Sequence, residues 1–281
     1  MCHCGTGSLA SRMRIGVKCG QWGWSFSELE EGWRAAERCG FALLSCFDRI
    51  TSAPQGLRAW DAVALLVAMA KSTESIRLSV HMLNATLRHP ALLASQLAVA
   101  QAASRGRIEV GLGAGAKHWA PFDNRPLGIP FPSHATRIVR LEALCRTLPA
   151  LWRGETVTDE VLGLREVSFG PLEIEPPSLT LGGRSDGILE LAARYADGWD
   201  AIDSEPTGFE RLARRLDDLC RAVGRVRPIE KAVQIWVSEL RDTDPRTLLR
   251  QYEEMGCTTA VFVLHRERGP DAVRRFADAA L

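Results

Sequence analysis

Three residues able to move protons or hold charge fall directly after short apolar runs: His81, Asp48 and Arg49. Imidazole exchanges a proton near neutral pH, so His81 is the candidate general acid, provided a bulge in its strand aims it inward. A satisfied core histidine fits the same residue. Asp48 is a second candidate proton donor. Arg49 cannot serve readily as an acid, since its pKa stays above about 12, but it can clamp a carboxylate or stabilise an anionic ring. The pair also fits a structural ion bridge at a rim. Trp22 and Trp24 can wall a substrate pocket or pack under a loop. His118, beside Lys117 and Trp119, suits contact with substrate or a ligand's tail, or a solvated loop; His134 and His265 read as peripheral.

Two glycine clusters complete the set. Gly111-Leu112-Gly113-Ala114-Gly115 places three glycines at a strand end, where a missing Cβ lets a flat ring or a phosphate approach the backbone. A tight turn needing positive φ is the plainer reading. The spacing is not a dinucleotide fingerprint, because the third glycine comes too early and a proline-bearing loop follows. Leu181-Gly182-Gly183-Arg184-Ser185-Asp186-Gly187 opens a helix, so free N–H groups with Arg184 and Ser185 can hold one phosphate. Ordinary helix capping by Ser185 or Asp186 fits equally.

The elements that must position these residues follow from an alternation of short apolar runs and longer amphipathic segments, the pattern of a parallel sheet wrapped in helices. Strands are expected at 14–19, 41–47, 76–81, 107–112, 178–181, 198–202, 231–239 and 258–264. Helices are expected at 27–39 with Ser27 as cap, 60–71, from Pro90 to about 105, 134–153, 186–196, 209–223, 245–255 and 270–280. Residues 154–177 break the rhythm and suit an inserted hairpin. The expected fold is a single (β/α)8 TIM barrel over residues 14–281, with residues 1–13 as a disordered N-terminal extension. Two doubly wound domains are the alternative, but no linker-like composition shift divides the chain.

The 281 residues carry 35 basic and 34 acidic side chains, a net charge of +1, which gives no field to attract nucleic acid or an anionic membrane. A small-molecule partner is expected instead. No apolar run reaches the roughly 18 residues of a membrane span, and residues 1–13 lack a secretory apolar core, so a cytoplasmic protein is expected. Of eight cysteines, six are scattered singly through apolar segments and fit buried reduced thiols. Cys2-His3-Cys4 has no second ligand pair at zinc-like spacing, so no metal is expected.

Several pieces stand in a specific order: Glu37-Arg38-Cys39-Gly40-Phe41, Arg88-His89-Pro90, Gly106 to Gly115, Arg137 with Leu141-Glu142, Leu151 to Glu155, Pro176 to Gly183, and Ala192 to Trp199. Together they resemble the luciferase-like family of flavin and coenzyme F420 enzymes, from end to end of the barrel. The resemblance implies an isoalloxazine or deazaflavin ring over the strand ends, with its tail phosphate near Gly113, Ala114 and Gly115 and near Gly182, Gly183, Arg184 and Ser185. It also implies a non-proline cis peptide in a bulge after strand three, around Val80-His81, and a homodimer. Where the family commonly shows Asp-His after strand two, this chain has Asp48-Arg49, which puts the substrate chemistry in doubt. The expected reaction is hydride transfer between reduced coenzyme F420 and an activated C=C or C=N bond, with Lys117, Arg184 and Arg125 as partners for the anionic tail. An FMN-dependent monooxygenase using oxygen is the alternative, and a non-catalytic ligand- or partner-binding barrel is a third reading.

Overall fold

The computed structural model describes residues 13–52, 56–240, 243–264 and 269–281. The readings made for residues 1–12, including Cys2-His3-Cys4, and for His265 lie outside them. Met13, read as part of the extension, is described and packs in the core.

Apolar runs form strands and the amphipathic segments between them form helices, in strict alternation. Strand β1 (Arg14–Cys19) leads to helix α1 (Phe26–Arg38), β2 (Leu43–Cys46) to α2 (Ala62–Ser72), β3 (Arg77–Asn84) to α3 (Pro90–Ser104), and β4 (Ile108–Gly113) to α4 (His134–Trp152). Strands β5 (Val157–Asp159) and β6 (Leu164–Val167) then pair as an antiparallel hairpin outside the main sheet. The alternation resumes with β7 (Ser178–Gly182) and α5 (Asp186–Tyr195), then β8 (Gly198–Asp200) and α6 (Pro206–Ala222). After β9 (Glu230–Trp236) come a 3-10 turn (Val237–Glu239) and α7 (Pro245–Glu254); β10 (Thr259–Leu264) and α8 (Pro270–Ala280) end the chain. Among the described residues, eight strands close into a parallel barrel in the order β1, β10, β9, β8, β7, β4, β3, β2. The fold is the expected (β/α)8 barrel with its inserted hairpin.

Burial on both faces explains why β2, β4 and β10 are buried at every residue, as parallel strands under helices must be. Local signals set the helix ends with small departures. The cap of α1 is Ser25, not Ser27: Ser25 accepts from the Glu28 N–H while the Glu28 carboxylate accepts from the Ser25 N–H. Helix α3 stops where Arg105 and Gly106 turn left-handed, at φ 56° and 87°. The lower, N-terminal end of the barrel is closed by charge. Glu109 accepts from Arg14 at 2.6 Å and Arg77 at 3.0 Å, and Arg14 reaches on to Glu230 at 2.6 Å. With that end tied by structural ion pairs, the open, C-terminal end is left for chemistry.

Candidate active site

One large cleft, of about 370 Å³, lies at the C-terminal strand ends. Its lining comes from the ends of β1, β2, β3, β4, β7, β8 and β9, so nearly the whole barrel contributes.

The floor is a chain of hydrogen bonds across the barrel. His81 Nδ1 lies 2.9 Å from Asp200 Oδ2, the same oxygen accepts from Gln234 Nε2 at 3.0 Å, and Gln234 Oε1 accepts from Lys18 Nζ at 2.5 Å. Four strands therefore bring one polar side chain each to a buried line. Burial alone would push the Asp200 carboxyl up, but the His81 hydrogen bond, the Ile202 amide and Lys18 together hold it below the ordinary aspartate range. Burial dominates at Lys18, whose ammonium is driven down to about 8 against the pull of Asp200 and Asp203. Phe47 sits under that amine, its ring centre 4.0 Å from Nζ.

Aromatic side chains make one wall. Trp22 packs on Phe47 at 5.0 Å between ring centres and Phe47 on Trp236 at 5.8 Å. Trp236 Nε1 donates to Asp203 at 2.6 Å, and Asp203, with Ile202, has left-handed backbone (φ 48° and 42°). Gln21 fixes the chain behind this wall by bonding both the N–H and the carbonyl of Phe47.

The opposite side is built on a bulge. Pairing of β3 with β4 shifts register between Val80 and Leu83, and a cis peptide joins His81 to Met82, one bond after the expected Val80-His81 position. The bulge extends β3 beyond the expected end at His81 and turns Met82 into the space left by glycines. A Cβ on Gly111 would stand 2.7 Å from Met82 Sδ, and one on Gly182 would stand 2.9 Å from both Sδ and Cε. Gly111 thus admits the Val80 carbonyl as well as Met82, and Gly182 admits Met82 while still lining the cleft. Gly115, at φ 80°, does need its missing side chain for backbone reasons.

Beside the bulge, α5 begins against the cleft. Gly182, Gly183, Arg184 and Ser185 all line it, and the Ser185 hydroxyl is buried with no hydrogen-bond partner and makes no cap bond. A buried hydroxyl left open at a helix N-terminus, where unpaired N–H groups and the dipole favour an anion, fits a phosphate.

Other expectations change. Trp24 does not reach the cleft; it is buried against Gly32 of α1. Val80 is a core side chain, and Lys117 and Arg125 are exposed away from the lining. Asp48 lines the cleft edge but is held by the Arg88 guanidinium at 2.7 Å and the Asn84 N–H at 2.8 Å, which makes it a strut. Arg49 pairs with Asp123 and sits over Trp119, its Cζ 3.6 Å from the ring centre, which fastens the loop after β4 across the cleft mouth. Burial raises the Asp123 carboxyl even against Arg49. His118 lies at the mouth, and His134, read as peripheral, is part of the lining. Gln234 stands out only in the folded chain, whereas Lys18 falls at the end of the first expected strand, where functional residues of a barrel gather. The sequence signal of Gln234 is a lone amide set between Ala232-Val233 and Ile235-Trp236 of β9. No group of three or more metal-ligating side chains occurs among the described residues.

A parallel barrel with a titratable floor, an aromatic wall and a buried open hydroxyl at a helix N-terminus has, at its strand ends, a cleft suited to a phosphate-bearing ligand. The chain belongs to the luciferase-like monooxygenase family, whose profile matches residues 10–255. It is 27% identical over 224 residues to an F420-dependent glucose-6-phosphate dehydrogenase of Nakamurella multipartita, covering 74% of this chain and 65% of that protein. It is 25% identical over 248 residues to an FMNH2-dependent dimethylsulfone monooxygenase of Pseudomonas fluorescens, covering 87% of this chain and 63% of that protein. The chain thus spans a little under two thirds of the length of these relatives. Its fold matches that of an F420-dependent secondary alcohol dehydrogenase solved with an F420-acetone adduct, at TM-score 0.80 and 16% identity over 95% of this chain and 98% of that one.

Proposed function

We propose that the protein is an oxidoreductase that uses coenzyme F420 to reduce an activated double bond of a small molecule. The observation that carries the cofactor half is the buried, unpartnered Ser185 hydroxyl at the start of α5, with Gly183 and Arg184 beside it. These residues would hold the tail phosphate, and Gly113, Ala114 and Gly115 border the ring space. When bound in reduced form, the deazaflavin supplies a hydride. The protein's own part is to orient the acceptor, exclude water and manage one proton.

The His81–Asp200 pair suits the last task. With Asp200 held ionised, the Nδ1 proton of His81 is fixed on the carboxylate side, which leaves Nε2 to exchange a proton with substrate. The aromatic wall of Trp22, Phe47 and Trp236 would take a flat, largely apolar acceptor.

The test is a titration of the purified protein with coenzyme F420 and with FMN, followed by ligand fluorescence, in wild type and Ser185→Ala. Selective F420 binding, weakened about tenfold in Ser185→Ala, is the expected result. Selective FMN binding would move the protein to oxygen-using monooxygenases, and binding of neither would overturn the cofactor assignment.

A further inference from the structure

A lysine nitrogen buried in the floor of an enzyme cleft needs a partner that the cleft's own residues do not fully provide. Lys18 is 1% exposed, and Nζ has three protons; Gln234 Oε1 takes one and the Phe47 ring faces the nitrogen, yet the side chain still borders the cleft. Its charge neighbours are Asp200 at the end of β8 and Asp203 just after it, the Cys46 thiol on β2, and Arg49 just beyond β2. His81 enters only through Asp200. No carboxylate is within bonding distance of Nζ among the hydrogen bonds and ion pairs of the described residues. The amine is therefore a donor-only group aimed at a compartment lined by rings.

We propose that Lys18 is the oxyanion-binding residue of this site, and that the acceptor is a planar α,β-unsaturated carbonyl compound whose carbonyl oxygen rests on Nζ. This inference rests on the hydride-transfer reading and narrows its substrate. Two features select this class. A protonated C=N acceptor would bring a second positive charge to a buried ammonium, and like charges in low dielectric repel strongly. A simple ketone needs charge stabilisation and a proton at the same oxygen, whereas this floor separates its two proton-bearing groups by the whole Asp200–Gln234 span. Conjugate reduction uses both ends. Hydride arriving at the β carbon turns the C=C pair into an enolate C=C bond and sends the carbonyl π pair to oxygen, where the ammonium receives the charge. A proton from His81 then adds to the α carbon as the carbonyl reforms. The acceptor gains two electrons and two hydrogens, and the hydride donor leaves oxidised.

The enolate has a stable mimic in para-nitrophenolate, whose ionisation is visible by absorbance. The whole protein should bind the phenolate in preference to the phenol, and Lys18→Met should weaken phenolate binding about tenfold or more while leaving binding of butylbenzene, an uncharged ring without a carbonyl, unaffected. In wild type the phenolate affinity should fall as pH rises through about 8, where Lys18 loses its proton, which tests the idea without any variant. With reduced F420, benzylideneacetone should be consumed and its saturated ketone benzylacetone should not, and Lys18→Met should lower kcat about 100-fold. Equal phenolate binding by Lys18→Met, a flat pH profile, or preferential consumption of benzylacetone would each overturn the proposal. If phenolate binds through Lys18 but F420 does not bind, the cofactor reading fails and the oxyanion site stands. If F420 binds and Lys18→Met changes nothing, only the oxyanion site fails.

Discussion

Asp200 accepts from both His81 and Gln234 on one oxygen and from the Ile202 amide on the other, so a single buried carboxylate orients the proposed acid and the amide that holds Lys18. Replacing it by asparagine keeps the shape and removes the charge. Asp200→Asn should lower kcat by about 100-fold, with F420 affinity unchanged within about twofold, as measured by steady-state reduction and fluorescence titration. Its pH profile should also lose the limb that depends on imidazole. His81→Ala should show the same kcat loss, and an unchanged kcat would remove His81 from the mechanism. Arg49 is a residue whose role the fold redirects: its charge goes to Asp123 and its guanidinium sits over Trp119. Arg49→Ala should destabilise the protein by about 3 kcal/mol, because it strands a buried carboxylate. The deficit should shrink as pH falls, since burial raises the Asp123 carboxyl above the ordinary aspartate range and its neutral form needs no charged partner. Chemical denaturation at two pH values measures both effects.

At the scale of elements, the site depends on how β3, β4 and β7 fit together. The bulge after Val80 delivers Met82 into a socket whose sides are Gly111, Gly113 and Gly182. Adding a methyl group at Gly182 forces methionine, bulge and His81 to move together. Gly182→Ala should therefore cost about 1–3 kcal/mol and weaken F420 binding, and Met82→Ala in the same chain should restore part of both. Melting curves of the two single variants and the double variant test the coupling. If the two effects simply add, the socket has no mechanical link to the site. Helix α5 carries the other half of the site, and its start is held to β8 by the Trp199 indole, which donates to the Gly183 carbonyl at 2.8 Å.

For the whole molecule, the barrel core encloses thiols that have no place for charge. Burial drives Cys19, Cys145 and Cys257 up to about 12, and Cys46 higher still, from ordinary values near 9. Between those limits the unfolded chain has released protons that the folded chain retains, so stability falls as pH rises from about 8.5 toward 12. Tyr252, raised by burial and donating to the Ser204 carbonyl, adds to the same trend. The melting temperature should decline steadily over that range, and a thiol reagent should label these four cysteines only as the barrel unfolds. Rapid labelling of all four at neutral pH would contradict the described packing.

How far this protein could be read from its residues depends on how local each signal is. Strand β1 and helix α8 lie where alternation, proline and capping residues put them, because those preferences act within a few residues of chain. Both glycine clusters are equally visible as strand ends beside a ligand. Their occupant is not, since Met82 belongs to another strand and reaches them only through the bulge. Trp24 and Lys117 show the same limit from the other side, because a residue close to a site in sequence can turn into the core or out to solvent. The polar floor of the cleft is the extreme case. His81 meets Asp200 across 119 positions, and Lys18 meets Gln234 across 216. Sequence by itself determined the barrel and its order of elements, both products of short-range periodicity. Which polar side chains share a hydrogen bond there was decided only by barrel closure, which brings the first strand beside the last and sets four distant residues on one line.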